Sequence, residues 1–405
     1  MDQQSEPDGQ AGAVTGPLAG IRVLDLTRIL AGPTMTQTLG DFGADIIKVE
    51  RPGAGDDTRA WGPPYVTGTD GRPTSESAYY LAANRNKRSI AIDMATPDGA
   101  ALIRRLARHC DVLVENFKLG GLKKYGLDYE SLSQDHPGLI YCSITGFGQT
   151  GPNAHRPGYD LLAQGYGGIM SLTGEPDGEP MKVGVGIADV VCGLYGGLGI
   201  LAALRHRDQT GLGQHIDVSL VDSQVSWLVN EGTNYLLSGA EPKRRGNQHP
   251  NIVPYQVFQA ADGHVIVAAG NDGQYQRLCA IIGLEDLATD ARFATNPKRL
   301  ENREVLIPLL ADKIATLGKQ ELVDSMEANN VPGGAINTIA EVFESEQVLA
   351  RGMKISMPQP KAESGQVDLI GNPVKFSRTP VTYRHPPPHC GEHTDEVLRE
   401  VLGEE

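Results

Sequence analysis

An α/β fold built around a doubly wound parallel sheet is the architecture this sequence predicts, and three observations carry that expectation. Short β-branched apolar runs alternate with helix-like stretches from about residue 18. Helix-start chemistry lies between those runs, and the one strong hairpin signal, Asp262-Gly263, comes only later. Strands separated by helices pair in parallel and place ligands at their carboxyl ends.

The elements follow in order. IRVLDLT (21–27) reads as a strand, and after AGP, where Pro33 can sit at a helix start, TMTQTLGDFG reads as a helix. DIIKVE (45–50) is a second strand. Thr96-Pro97-Asp98 opens a helix, with Thr as N-cap, Pro in the first turn and Asp favourable near the positive dipole end. Its apolar Leu102, Ile103 and Leu106 share one face, and DVLVEN (111–116) and LIYCSIT (139–145) follow as strands. Residues 189–206 look like a buried helix in which Gly193, Gly196, Gly197 and Gly199 permit close packing at some loss of helix propensity. QHIDVSL (214–220) is a strand and VDSQVSWLVNEGTNYLL a helix.

PYQVFQAADGHVIVAAG reads as two strands around Asp262-Gly263, and helices over 275–330 complete a smaller α+β domain. After Val331-Pro332-Gly333-Gly334 the chain returns to the first domain and ends in a helix near EHTDEVLREVL. The domain reading is a disordered tail at 1–17, a large domain from 18–222, a small α+β domain at 223–334, and a return to the large domain over 335–405.

Composition narrows the function. A chain of 405 residues, 40% hydrophobic and 21% charged, buries a substantial core and is long enough for two domains. No apolar run approaches the ~18–20 uninterrupted residues of a membrane span. The opening MDQQSEPDGQAGAVTG has no positive segment followed by an apolar core, so it reads as a polar tail and not a secretory signal. Five scattered cysteines without C-x-x-C spacing suggest reduced thiols in a cytoplasmic protein. A net charge of −14 argues against a nucleic-acid partner, and any anionic ligand must be held by a local basic pocket against the global field.

Motifs narrow it further. GVGIAD (184–189) and GGLG (196–199) fall short of the full dinucleotide fingerprint. A P-loop, H-E-x-x-H and G-x-S-x-G are all missing, and His385 and His389 lie in a proline run. The expectation is an activity without a metal or permanently bound cofactor. Two carboxylates stand out. Asp160 lies in RPGYDLLAQG with Arg156 four residues earlier as a candidate partner. Asp189 has no cation between Lys182 and Arg205, and must be held by backbone amides. It reads either as the N-cap of the following helix or as a nucleophile; a helix start, which keeps a carboxylate ionised, serves both. Arg51, Lys87-Arg88, and the group Lys118, Lys123 and Lys124 are either a solvated surface or an anion site at strand ends.

Eight segments then carry a resemblance: LDLTRILAGP (24–33), GADIIKVERPGAGDDTR (43–59), NKRSIAIDMATPDG (86–99), DVLVENF (111–117), SITGFGQTGP (143–152), LTGEPDGEP (172–180), TGLGQHIDVSL (210–220) and GEHTDEVL (391–398). In order and spacing the chain resembles the class III CoA-transferases, the family of formyl-CoA, carnitine and bile-acid CoA-transferases, from about residue 17 onward. The resemblance implies a Rossmann-like large domain made from both chain ends, a smaller middle domain and an interlocked homodimer. It implies an acyl-CoA and a carboxylic acid as substrates. It places the catalytic aspartate on Asp189 and matches the Tyr-acidic pair to Tyr159-Asp160. It assigns Arg51, Asn116, Phe117, Lys124 and Tyr125 to the CoA nucleotide, and Ile29 and Leu30 to the pantetheine and thioester.

Departures from the pattern are informative. The related α-methylacyl-CoA racemases carry His where Tyr159 stands, so their two-base proton transfer lacks a partner here. A racemase and a non-catalytic CoA-binding protein are the alternatives. Formyl-type enzymes have a run of four glycines where this chain has Arg245-Gly246-Asn247-Gln248-His249-Pro250, and Gln where Leu30 stands. RRGNQHPNIVPY (244–255) resembles members acting on C4–C6 dicarboxylates. A dicarboxylate carries a distal charge that must be paired, and Arg28, Arg245 and His249 are the candidates. Gly246-Asn247 or Gly165–Gly168 could supply oxyanion donors, with 245–250 as a mobile lid.

Overall fold

Five of the expected strand runs and one further segment pair in one parallel sheet. The computed structural model describes residues 15–403; the tail expected at 1–17 lies outside the described residues except for its last three. Two compact units emerge. The first holds the chain up to Ile169, Lys182–Leu236, and Leu349 onward; the second holds Met170–Met181 and Leu237–Val348.

In the first unit the strands are β1 (Arg22–Asp25), β2 (Asp45–Glu50), β3 (Lys87–Ala91), β4 (Val112–Glu115), β5 (Ile140–Thr145) and β6 (His215–Ser219). Their order across the sheet is β3-β2-β1-β4-β5-β6, all parallel. The chain winds outward one way from β1 and then the other, so the crevice opens beside β1 and β4. Alternate residues feed opposite faces. Val23, Ile46 and Val112 pack with Met35 and Leu39 of α1 (Ala31–Asp41) and Ile200 of α4 (Ile187–Thr210). Leu24, Ile47 and Leu113 pack with Ile103 and Leu106 of α2 (Pro97–Ala107) on the other side. The Thr96 hydroxyl caps α2 by accepting from the Gly99 amide, as its sequence predicts. The remaining labelled helix of the site, α3, spans Asp160–Tyr166.

Strand β3 was not among the expected strands, because it opens on two charges. Lys87 is wholly buried against Asp25, while Arg88 pairs with Asp45, Glu396 and Glu400. The anion site suggested for Lys87-Arg88 is therefore corrected: both are neutralised inside the fold. The single helix expected after residue 220 breaks into Leu220–Ser226 and Val229–Ser238, where Val229 takes φ +43°. Helix α4 is 24 residues long, with a window of mean hydropathy 1.9 that is long and apolar enough for a membrane span, which the sequence reading had not anticipated. Half of that window is buried, and close packing explains its glycines: Gly193, Gly196 and Gly197 face Ala31 and Met35 of α1, and Gly199 faces Ile216 of β6. A Cβ built on Gly193 would lie 2.5 Å from the Ala31 carbonyl oxygen.

The returning chain is sewn to the first unit by Asp41. Its buried carboxylate accepts from Arg85, Asn86 and Asn372, and Arg384 reaches the Gly40 and Ala44 carbonyls. The second unit is a three-stranded antiparallel sheet of Tyr255–Ala260, Gly263–Ala268 and Gly333–Ala335, packed on helices that include Asp272–Ile281, Arg303–Ile314 and Lys319–Ala328. The hairpin forms where Asp262-Gly263 predicts it, with Ala260 opposite Gly263.

Because Asp41 neutralises buried Arg85 and anchors residues more than three hundred positions away, Asp41→Ala strands a guanidinium. The expected loss is about 3–5 kcal/mol, read from the denaturant midpoint of the first unit's transition.

Candidate functional site

The carboxyl ends of β1, β2, β4 and β5 surround a cavity of about 1120 Å³. It is lined by Arg28–Ala31 after β1, by Lys48–Arg51 at the end of β2, by Asn116 and Phe117 after β4, and by Asp189 from α4. Tyr159 and the Lys124-Tyr125 pair complete the walls. The fold thus brings Ile29, Leu30, Arg51, Asn116, Phe117, Lys124, Tyr125, Arg28, Tyr159 and Asp189 to one cavity.

Asp189 is the third residue of α4, one turn in from the Gly186 N-cap, so it is not itself the cap. The capping is done by Asp160 at the start of α3: one carboxylate oxygen accepts from the Ala188 amide at 2.8 Å and the other from Gln164 Nε2 at 2.7 Å. With that amide taken, no hydrogen-bond donor among the described residues reaches the Asp189 carboxylate, which is only 8% exposed. Burial first, and the neighbouring Asp160 charge second, push Asp189 up to about 7. Two expectations are corrected here. Backbone amides do not hold Asp189, and the helix start does not keep its acidity ordinary, because Asp160 uses the free amide and adds a like charge. Nor does Arg156 pair with Asp160. Its guanidinium lies 4.8 Å over the Phe147 ring. Tyr159 is 66% exposed on the cavity wall.

The β1–α1 loop is held from several sides. The Asn116 side chain accepts from the Arg28 amide at 3.1 Å and donates to the Arg28 carbonyl at 2.7 Å. The Arg28 guanidinium pairs with Asp57 at 2.7 Å. Ile29 adopts φ +73°. Leu30 begins α1 with no side-chain cap, and a Cβ on Gly186 would lie 3.0 Å from Leu30. The start of α1 is therefore wedged against the start of α4.

Charge at the rim differs from charge below it. Arg51, Lys118, Lys124 and Arg156 are exposed, line the cavity, and form no ion pair among the described residues. Below them Lys48 is fully buried and pairs with Asp56 at 2.9 Å. Sequence reasoning missed Lys48 and Asp56. The visible signal was a lysine in an otherwise apolar strand, DIIKVE, followed within ten residues by GDD.

Arg245, Gly246, Asn247 and His249 belong to the second unit. Arg245 donates to the Lys243 carbonyl, the Gly246 amide to Gly174, and the His249 amide to Tyr255. Asn247 lies in the same turn, and Arg303 donates to the Gln248 side chain and the His249 carbonyl. The segment is tied down by these bonds within its own unit.

A family model described as CoA-transferase family III matches residues 18–394. The chain is 52% identical over 386 residues to a succinate–glutarate CoA-transferase of Agrobacterium fabrum, covering 95% of this chain and 96% of that one. It is 44% identical to a human succinyl-CoA:glutarate CoA-transferase, covering 95% of this chain and 86% of the relative. Among solved structures, a CAIB/BAIF family protein from Brucella suis superposes with a TM-score of 0.84 at 50% identity, covering 96% of this chain and all of that one.

The upward shift of the Asp189 carboxyl has a thermodynamic consequence. Its folded value of about 7 lies above the unfolded one, so the native state holds the proton more tightly. Stability is therefore full below about pH 4 and falls as pH rises through 7. Asp189→Asn removes this loss, up to about 4 kcal/mol. Its melting temperature should exceed the wild type's clearly at pH 8 and hardly at pH 4; equal gains at both pH values count against the upward shift of Asp189.

Proposed function

The chain belongs to CoA-transferase family III, and from that membership we propose that it moves coenzyme A from succinyl-CoA to a C4–C6 dicarboxylate, glutarate foremost, with Asp189 as the nucleophile. The observation that carries the proposal is Asp189 itself: a buried carboxylate, without a hydrogen-bond donor among the described residues, on the wall of the large cavity. A carboxylate so placed is poorly solvated and keeps its electron pairs available for attack.

The steps balance without an external energy source. One Asp189 oxygen attacks the thioester carbonyl; the C–S bond breaks, leaving a mixed anhydride and CoA thiolate. The thiolate attacks the Asp189 carbonyl of that anhydride, which releases succinate and leaves an aspartyl-CoA thioester. The acceptor carboxylate then attacks this thioester, and the thiolate returns to the new anhydride's acyl carbonyl, restoring Asp189. Oxyanions form at each attack and need amide donors. The uncapped start of α1, at Leu30 and Ala31 on the cavity wall, supports a source of donors other than Gly246-Asn247.

Exposed cations at the rim support binding of the CoA phosphates, against the overall charge of −14. The free cysteines fit a reducing cytoplasm. Exposed Leu194 and Leu198 of α4, with Val225 and Trp227, support a homodimer. For the distal carboxylate, Arg28 is the candidate on this cavity; Arg245 and His249 remain candidates from the second unit.

Three measurements test this reading. Incubated with succinyl-CoA and labelled acids, Asp189→Ala should lose transfer while still binding CoA. Turnover within about tenfold of wild type, only ~1.4 kcal/mol of barrier, would remove Asp189 from the nucleophile's role. Arg51→Ala and Lys124→Ala should raise KM for acyl-CoA far more than KM for the free acid, with a salt-sensitive component; equal effects would assign them to the fold. Glutarate should be preferred to butyrate, and that preference should shrink in Arg28→Ala. Equal use of both acids by wild type would remove the dicarboxylate assignment.

A further inference from the structure

The β1–α1 loop carries a conformation its own residues disfavour. Ile29 is β-branched, yet it stands at φ +73°, a left-handed region that L-residues disfavour and β-branched ones most of all. Such a residue persists only where its surroundings over-determine it.

Those surroundings can be accounted for peptide by peptide. The Thr27 amide is accepted by Asp25 at 2.8 Å, and the Thr27 carbonyl takes the Lys48 ammonium at 2.9 Å. Both main-chain groups of Arg28 are taken by Asn116. The Ile29 amide is accepted by Asp56 Oδ1 at 3.2 Å. Asp56 is buried, and its other oxygen accepts from Lys48 at 2.9 Å. The same Oδ1 also takes the Thr58 amide and hydroxyl, at 3.0 and 2.8 Å. Burial would raise the Asp56 carboxyl, but Lys48 and the Thr58 donors outweigh it and hold it at about 2, so it stays ionised. Lys48 thus grips the loop directly before Arg28 and, through Asp56, directly after it.

We propose that Asp56 and Asn116 are positioning residues for the transfer reaction: by bonding the main chain at Ile29 and Arg28, they hold residue 29 left-handed and so aim Leu30 and the start of α1 at Asp189. This rests on the CoA-transfer reading above. The mechanical link to the nucleophile is short. Leu30 packs on Gly186 and the Ala31 carbonyl on Gly193, the two glycines that bracket Asp189 in α4. If residue 29 relaxed to a right-handed or extended conformation, the direction of the Leu30 peptide would change while the sheet stayed intact.

The two residues differ in what their loss leaves behind. Removing the Asp56 charge leaves Lys48 buried with a weaker partner, so that variant is also destabilised. Asn116 is half-buried and neutral, so its loss strands no charge. The Ile29→Gly substitution separates the positioning role from a merely structural one. With no Cβ, glycine takes the left-handed region freely and needs no external hold.

The experiment is a pair of double-mutant cycles, Asp56→Asn and Asn116→Ala, each with and without Ile29→Gly, read as kcat for succinyl-CoA to glutarate exchange at saturating acyl-CoA, beside the melting temperature. With Ile29 intact, each substitution should lower kcat at least tenfold, and Asp56→Asn should leave KM for acyl-CoA changed less than threefold. In the Ile29→Gly background each should lower kcat less than threefold, while the melting temperatures of the two Asp56→Asn proteins stay equally depressed. Equal kcat losses in both backgrounds, or a kcat within threefold of wild type for both single variants, overturn the proposal. If Asp56→Asn does not fold, the Asn116→Ala cycle decides by the same criteria. Wild-type exchange run alongside reports on the functional reading separately, since its absence overturns that reading whatever the cycles give.

Discussion

Lys48 carries a full positive charge to the carboxyl edge of the sheet with no access to water, and the segments that neutralise it are the segments that build the cavity. An ammonium in that position needs both a counter-charge and its remaining protons satisfied. Asp56 supplies the first from the loop after β2, and the Thr27 carbonyl accepts a second proton from the end of β1. Asp25 adds its field from the adjoining β1, and Glu50 from the end of Lys48's own strand. Each partner is itself shared. Asp25 also holds Lys87 of β3 and the Thr36 hydroxyl of α1, while Glu50 holds Arg59 and the Ser89 hydroxyl. Moving any one of these strand ends would leave a charge unpaired in a dry interior. The relative positions of three strands and one helix are set by that requirement before any ligand is considered.

Asp189 stands outside this neutralised framework. Asp25, Lys48, Glu50 and Asp56 each have an ionic partner, whereas among the described residues Asp189 has only a like charge nearby. A helix N-terminus ordinarily relieves such a carboxylate. Here the relevant amide, that of Ala188, is already bonded to Asp160. Local frustration of this kind lowers stability and is found where chemistry needs a group that its surroundings have not already satisfied. In the nucleophile's role proposed for Asp189, strong donors on the carboxylate would stabilise the resting anion and blunt attack on a thioester. The capping by Asp160 therefore does two things with one contact: it completes the helix, and it denies Asp189 the bond that would quench it.

Most of the fold was legible because its signals are local. DIIKVE forms its strand over the residues expected, and Thr96 caps its helix through the hydroxyl. Asp189, Tyr159, Arg51 and Lys124 were recoverable through the family pattern, and the structure gathers them around one cavity. What failed depends on partners distant in sequence. Lys87-Arg88 reads as a surface pair until Asp25, sixty-two residues earlier, and Glu396 and Glu400, some three hundred later, close on it. Arg156 stands four residues before Asp160, yet the loop turns it onto Phe147 and Tyr166. The capping of α4 by Asp160 spans twenty-eight residues and could not be told from self-capping by Asp189. Charge type is visible in a sequence; the identity of the counter-charge is not.

That distinction also explains how a protein of net charge −14 can present an uncompensated cationic rim. Screening confines the field of an exposed charge to about 8 Å at physiological ionic strength. The acidic surplus elsewhere on the surface therefore weighs little at the rim, where Arg51, Lys118, Lys124 and Arg156 stand without carboxylate partners among the described residues. The acids that do line the cavity are mostly committed: Asp56 to Lys48 and Asp57 to Arg28. Neutralising acids internally, at the base of the cavity, leaves the rim cations as the uncompensated charge that an incoming polyanion meets. The buried ion pairs thus shape the electrostatics of the opening without touching the ligand, by removing negative charge from the place where it would repel.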